Sequence, residues 1–281
     1  MAWLPDFLTW ENATTFFNSA FSISLVGALA GAYAGAMAAQ RIAERTKERD
    51  QLLTQIRSTN AAIMVAFGIC NAALSLKKQQ TKALCETFVA KKSELIEFMR
   101  KRKAGEIPGD TPFEFQADLR SLQMPLVPID VLRTQVYEKL SVSGRPLALV
   151  ATLAGALSSL ADTITNRNNL IVGFKQLAPE AHKALPALYF GLPFGGGHVS
   201  TEYADTIEAL NNLTDDVIFF SDLLCKDLAD HGNRILDTYK TRFKDKLESI
   251  NAIDFTNART AGLMPREENY ADWLRGFKAR Q

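Results

Sequence analysis

Apolar and polar positions divide this chain into one uninterrupted apolar run and several amphipathic stretches of helical period. No charged residue occurs between Asn12 and Gln40, a longer gap than the roughly 20 residues needed to cross a hydrocarbon core of about 30 Å. Residues 20–39 read AFSISLVGALAGAYAGAMAA, and within them Gly27, Gly31 and Gly35 recur every fourth position with Ala39 continuing the row. Such a face of small residues lets two helix backbones approach closely in lipid. The pattern predicts a transmembrane helix that self-associates. The alternative is an Ala/Gly-rich helix buried in a soluble core.

The flanks set an orientation. Arg41, Arg45, Lys47 and Arg49 follow the run, and no Lys or Arg precedes it. The positive-inside bias then places the C-terminal body in the cytoplasm and the N-terminus outside a bacterial-type inner membrane. A basic n-region is missing before the apolar run, which argues against a cleaved signal peptide. Trp3 and Trp10 suit the outer interfacial belt, and Phe16 and Phe17 favour insertion.

Beyond Arg41 the helical period continues to about residue 103. Ile42, Ile56, Ile63 and Cys70 share one heptad position, with Leu52, Ala66 and Ala73 on its partner position. This juxtamembrane coiled-coil-like seam either continues a contact between protomers or is a core stripe of the same chain. Residues 60–76 form a second charge-free run. It is short for a span and carries Asn60 and Asn71, so a buried helix is expected, with a second crossing as the alternative. Gly105, Pro108, Gly109 and Pro112 end the helix.

Residues 113–119 alternate Phe113, Phe115, Ala117 and Leu119 with polar neighbours, the period of one short strand. A short helix is expected at 130–140. A long one starts at Pro146, its stripe running through Leu149, Leu153, Leu157, Leu160, Ile164, Ile171 and Phe174. The apolar connector 184–199 is expected to be irregular, and a second long helix covers 201–250, with Leu210, Val217, Leu224, Leu228 and Ile235 on one side and a kink at Gly232. In the tail, Tyr270, Trp273, Leu274 and Phe277 line one face of an amphipathic piece flanked by Arg275, Lys278 and Arg280. That face fits a bilayer surface, a partner groove or the chain's own bundle.

The expected fold is all-α: a transmembrane helix leading into an elongated cytosolic multi-helix bundle with at most one short strand. Its parts are 1–40 (N-terminal segment and span), 41–104 (juxtamembrane helix), 105–145 (linker), 146–250 (bundle core) and 251–281 (tail). A formal charge of +1 leaves no basic excess for nucleic acid. Three cysteines without CxxC spacing fit a reduced compartment and carry no metal signature.

Chemistry is sparse. The most suggestive stretch is Gly195, Gly196, Gly197, His198, Ser200 and Thr201, a glycine loop entering a helix, where backbone N–H groups can hold an anion. No lysine follows the glycines, so this is no P-loop. Lys226 rather than arginine stands five residues before His231, which departs from an Arg-x4-His ribonuclease motif. No cofactor, metal site or catalytic set is expected. The leading expectation is a non-enzymatic, membrane-anchored, self-associating protein that presents a helical sensing or interaction domain to a cytosolic protein partner. A second is a membrane-perturbing effector or channel, possible in antiviral defence, for which Asn18, Ser22 and Ser24 offer only a thin polar lining. A third is an anchored enzyme using the glycine loop.

Overall fold

The structure, a computed structural model, describes residues 20–194, 196–244 and 249–277, with side chains from residue 24 on. Trp3, Trp10, Phe16, Phe17, Asn18, Gly195, Lys278 and Arg280 lie outside the described residues, as does the side chain of Ser22. Among the described residues the fold is all-helical. Helix α1 spans Ala20–Leu76, a π-helical turn follows at Lys77–Thr81, and α2 spans Lys82–Lys103. The three join without a break, and Ser24–Lys103 alone is 80 residues, on the order of 120 Å at about 1.5 Å per residue. A Schellman motif closes this rod, Gly105 adopting φ +73° while Glu106 N donates to the Lys101 carbonyl (3.0 Å) and Gly105 N to that of Arg102 (3.2 Å).

Helix α3 (Ile129–Thr134) runs into a second π turn at Gln135–Lys139, and α4 spans Arg145–Lys175. The stripe read from Leu149 to Ile171 is buried along α4. Helix α5 (Leu185–Phe190) follows a 3-10 turn, α6 spans Glu202–Phe243, and α7 (Thr256–Thr260) and α8 (Ala271–Arg275) lie in the tail. The centre of the bundle is α6, which packs along the lower half of α1 on one side and α4 on the other. Leu210, Val217, Leu224, Leu228 and Ile235 all point into that core.

Four expectations are corrected here. Residues 113–119 form no strand. Phe113, Phe115, Ala117 and Leu119 are half-buried against the core while Glu114 and Gln116 face out, yet the backbone has no strand to pair with. Residues 113–122 instead form an extended strap pinned by side chains, Asn168 bonding both the N–H and the carbonyl of Leu122 (2.9 and 2.8 Å). The connector is partly regular, because Pro186 occupies the first turn of α5, where its missing N–H costs nothing, and Gly191 caps that helix at φ +66°. Its Tyr189 and Phe190 are buried.

Third, α6 stops at Phe243 rather than near 250, with Lys244 in the left-handed region at φ 56°. Fourth, α6 passes unbroken through Gly232. That glycine makes room instead. A Cβ there would lie 2.9 Å from Thr59 Cγ2 on α1 and 2.8 Å from Ile250 Cδ1. A single methyl gains about 1 kcal/mol of helix propensity, but the Thr59 methyl it meets belongs to a fully buried side chain whose hydroxyl is tied to the Gln55 carbonyl, so Gly232→Ala is expected to melt somewhat below the parent. Leucine has no room, and overpacking of about 1–3 kcal/mol is expected to lower the melting temperature of Gly232→Leu. A melt of the leucine variant matching the alanine variant would show that α1 and α6 can separate at no cost.

Candidate membrane anchor and the remaining site residues

Helix α1 divides where its burial changes. From residue 24 to residue 47 every side chain is exposed, including Val26 (58%), Leu29 (62%) and Ile42 (68%). A buried soluble helix needs a partner, and among the described residues nothing covers residues 24–40. Gly27, Gly31 and Gly35 are equally bare, a Cβ at any of them meeting nothing within 4 Å. Spacing of four puts the three on one side of the helix with Ala39 after them. The result is a projecting apolar rod carrying a strip of exposed backbone, an unusual surface for a molecule surrounded by water.

Bundle contact begins just below. The Arg45 guanidinium lies 5.7 Å from the Phe243 ring centroid, Glu48 pairs with Arg242, and Arg49 Nε donates to the Tyr239 hydroxyl at 3.1 Å. Arg41 and Lys47 are exposed on the same turns. The basic cluster thus marks the boundary between bare helix and packed bundle.

By length and composition, two helices could cross a membrane, one within Ser24–Lys103 (mean hydropathy 1.6) and the other Arg145–Lys175 (1.7). The apolar window of the first is half buried, so it cannot lie in the exposed residues 24–47. It belongs to the run around 60–76, where Ala62, Ile63, Ala66, Ile69 and Cys70 pack inside the bundle. Arg145–Lys175 likewise buries one stripe against α6. Among the described residues, only 24–47 combines apolar character with an absence of cover.

The seam is divided in the same way. Ile56, Ile63 and Cys70 are buried and Leu52 is half-buried, packed within the chain, whereas Ile42 stands in the open. Cys70 Sγ and Cys225 Sγ reach across the α1–α6 interface to the carbonyls of Ile218 and Ile63 (3.7 and 3.8 Å). From Ile56 downward the seam is therefore a core stripe of one chain and is not available to a second protomer.

The described residues of the glycine loop turn back on themselves. Phe194 N donates to the His198 carbonyl at 2.8 Å, and Gly196 and Gly197 adopt φ +80° and +96°. The α6 N-terminus beyond it already carries Glu202 and Asp205, with Thr201 Oγ1 donating to the Asp205 carboxylate at 2.8 Å. These carboxylates occupy the positive end of the helix dipole and repel a further anion. His198 is exposed and Ser200 half-buried.

The tail face is also taken. Tyr270 stacks on Phe219 with ring centroids 3.7 Å apart and donates to Asp216 at 2.9 Å, Trp273 packs on Phe220 at 5.0 Å, and Leu274 joins the core. Phe277 folds over Trp273 at 4.7 Å. Tyr270, Trp273 and Leu274 dock on their own bundle, while Phe277 stays exposed.

Burial pushes the Cys70 thiol up to about 12 and the Cys85 thiol up to about 11, and it raises Cys225 as well. All three are protonated and poor nucleophiles at neutral pH. Burial and the nearby Arg234 hold His231 below the ordinary imidazole range. The described residues contain no cluster of histidine, cysteine and carboxylate side chains able to hold a metal. No protein-family model, curated protein or solved structure matches this chain. Sequence reading passed over Arg167, which is 1% exposed on the core side of α4. The signal was present, since position 167 falls three residues after Ile164 and four before Ile171, on the apolar stripe itself.

Proposed function

We propose that the chain is anchored in a bacterial-type inner membrane by residues 20–40, self-associates through Gly27, Gly31, Gly35 and Ala39, and holds its helical bundle in the cytoplasm as a sensing or interaction domain. One observation carries this reading: the apolar end of α1 projects uncovered, glycines bare, and its exposure ends where the basic cluster meets the bundle. Lipid supplies the missing apolar cover. A second copy supplies the close packing that a glycine strip allows and a leucine strip prevents. Arg41, Arg45, Lys47 and Arg49 retain the C-terminal side in the cytoplasm.

A membrane two-hybrid assay on the full chain tests the self-association. Gly31→Leu is expected to cut the signal at least about fivefold, the equivalent of roughly 1 kcal/mol of helix packing, with insertion intact because leucine inserts better than glycine. A signal equal to the parent's would remove self-association through this face and leave the anchor alone.

A further inference from the structure

Where the strap crosses α4 and α6, a buried cation makes no direct ion pair among the described residues. Arg167 Nη1 donates to the Arg120 carbonyl at 2.9 Å, and Nη2 donates to the Tyr203 hydroxyl at 3.1 Å and the Asp118 carbonyl at 3.4 Å. Every one of these acceptors is a neutral oxygen. Its Nε is buried with no hydrogen-bond partner among the described residues. The carboxylate of Asp118 is engaged by Arg120 through two bonds of 3.0 and 2.7 Å. Asp118 thus serves two cations, Arg120 through direct bonds and Arg167 through space, and the group of three carries a net positive charge. An unpaired charge at this depth is costly, and an anion beside it removes the cost.

There is space for such an anion. Arg167 lines a cavity of about 230 Å³ together with Arg120, Gln79, Gln80 and Ser121, whose donors outnumber the one carboxylate in the wall, that of Asp118. Gln79 and Gln80 belong to the π turn between α1 and α2, a local geometry that recurs at functional sites. Thr81, in the same turn, is 1% exposed and its hydroxyl has no partner. Across a wall shared at Leu84, Asp118 and Arg120 lies a second cavity of about 200 Å³, whose aromatic lining is Phe88, Phe115, Tyr189 and Phe190. Phe115 stands 5.0 Å from Phe190 and 5.1 Å from Tyr189. One lobe thus offers cationic and amide donors and the other an aromatic wall whose half-buried member is Phe115.

We propose that these two neighbouring cavities together bind a nucleotide, the phosphate against Arg167 and the glutamine amides, the base against the Phe115 side of the aromatic wall. The division of chemistry matches the ligand: a guanidinium suits phosphate oxygens, and every base has a π face that stacks on aromatic side chains. The inference concerns the bundle alone and stands whether or not α1 enters a membrane. Combined with the proposed anchor, it supplies the ligand that the sensing domain would report.

Isothermal titration of the full-length protein with AMP, with GMP and with inorganic phosphate is the test. Saturable binding of at least one nucleotide, tighter than phosphate, is expected. Arg167 also clamps the strap, so the diagnostic variants lie elsewhere. Arg120→Gln changes a side chain that is 88% exposed and uncovers the Asp118 carboxylate, and it is expected to weaken nucleotide and phosphate alike by about tenfold or more. Phe115→Leu is expected to weaken the nucleotide at least about fivefold and leave phosphate unchanged. Nucleotide affinity unaltered by Arg120→Gln, or no binding of any of the three probes, overturns the site. Phosphate binding as tightly as AMP and GMP overturns its assignment to a nucleotide.

Discussion

Leu29→Arg is expected to move the protein from the membrane fraction to the soluble fraction. The proposed span would insert with little to spare. Phe21, Ile23, Leu25, Val26 and Leu29 together favour insertion by roughly 2 kcal/mol on a translocon scale, and an arginine near the helix centre opposes it by roughly 3 kcal/mol. One substitution therefore reverses the sign. Because Leu29 is 62% exposed and touches no part of the bundle, the variant should keep the circular dichroism and melting temperature of the parent. Fractionation after carbonate extraction reads the result, with residues 41–281 as the soluble reference. If Leu29→Arg stays as membrane-bound as the parent, residues 20–39 are not the anchor, and the uncovered helix needs another explanation.

Asp215→Ala is expected to be the most damaging single change inside the bundle, at about 3 kcal/mol, or a fall in melting temperature of about 6 °C or more. Asp215 on α6 is the ion-pair partner of Lys77, the first residue of the π turn, and the two side chains are 20% and 10% exposed. Removing the carboxylate leaves an ammonium with little access to water. Removing both charges is a different matter. Lys77→Met combined with Asp215→Leu exchanges the pair for apolar volume, and most of the loss should return. Thermal melts of the two single variants and the double variant form a cycle whose coupling term is the quantity of interest. A coupling near zero would show that Lys77 reaches solvent once released, and that the π turn is not held by this pair.

How much of this could be read in advance depends on where each interaction partner lies along the chain. Periodicity needs only near neighbours, so the stripes of α4 and α6, the start of α4 at Pro146 and the stop at Gly105 follow from the sequence. At 113–119 the alternation correctly marks which side chains turn inward. It says nothing of how the segment is held, which falls to a distant helix: Arg167 bonds the carbonyls of Asp118 and Arg120, and Asn168 bonds both backbone groups of Leu122. The tail was ambiguous for a similar reason, since whether Tyr270 and Trp273 face lipid, a partner or Phe219 and Phe220 depends on a surface about fifty positions away. Gly232 was misjudged because a glycine that breaks a helix and one that admits a neighbouring helix look alike until Thr59 is beside it. At the glycine loop, Glu202 and Asp205 are visible in the sequence, and their position at the helix N-terminus gives reason enough to discount an anion there. Arg167 was equally visible, as a charge at a position where the helical repeat calls for an aliphatic residue.

The unbroken rod from α1 through α2 ties the angular phase of the bundle to that of the glycine strip. With no linker between them, a twist at one end arrives at the other instead of being lost in slack chain. At about 3.6 residues per turn, one residue inserted near Gln40 turns the bundle by about 100° relative to Gly31, while seven residues restore the alignment to within about 20°. If two protomers join at their glycines as proposed, their bundles are held in a fixed mutual rotation, and the rod determines which flanks of those bundles meet.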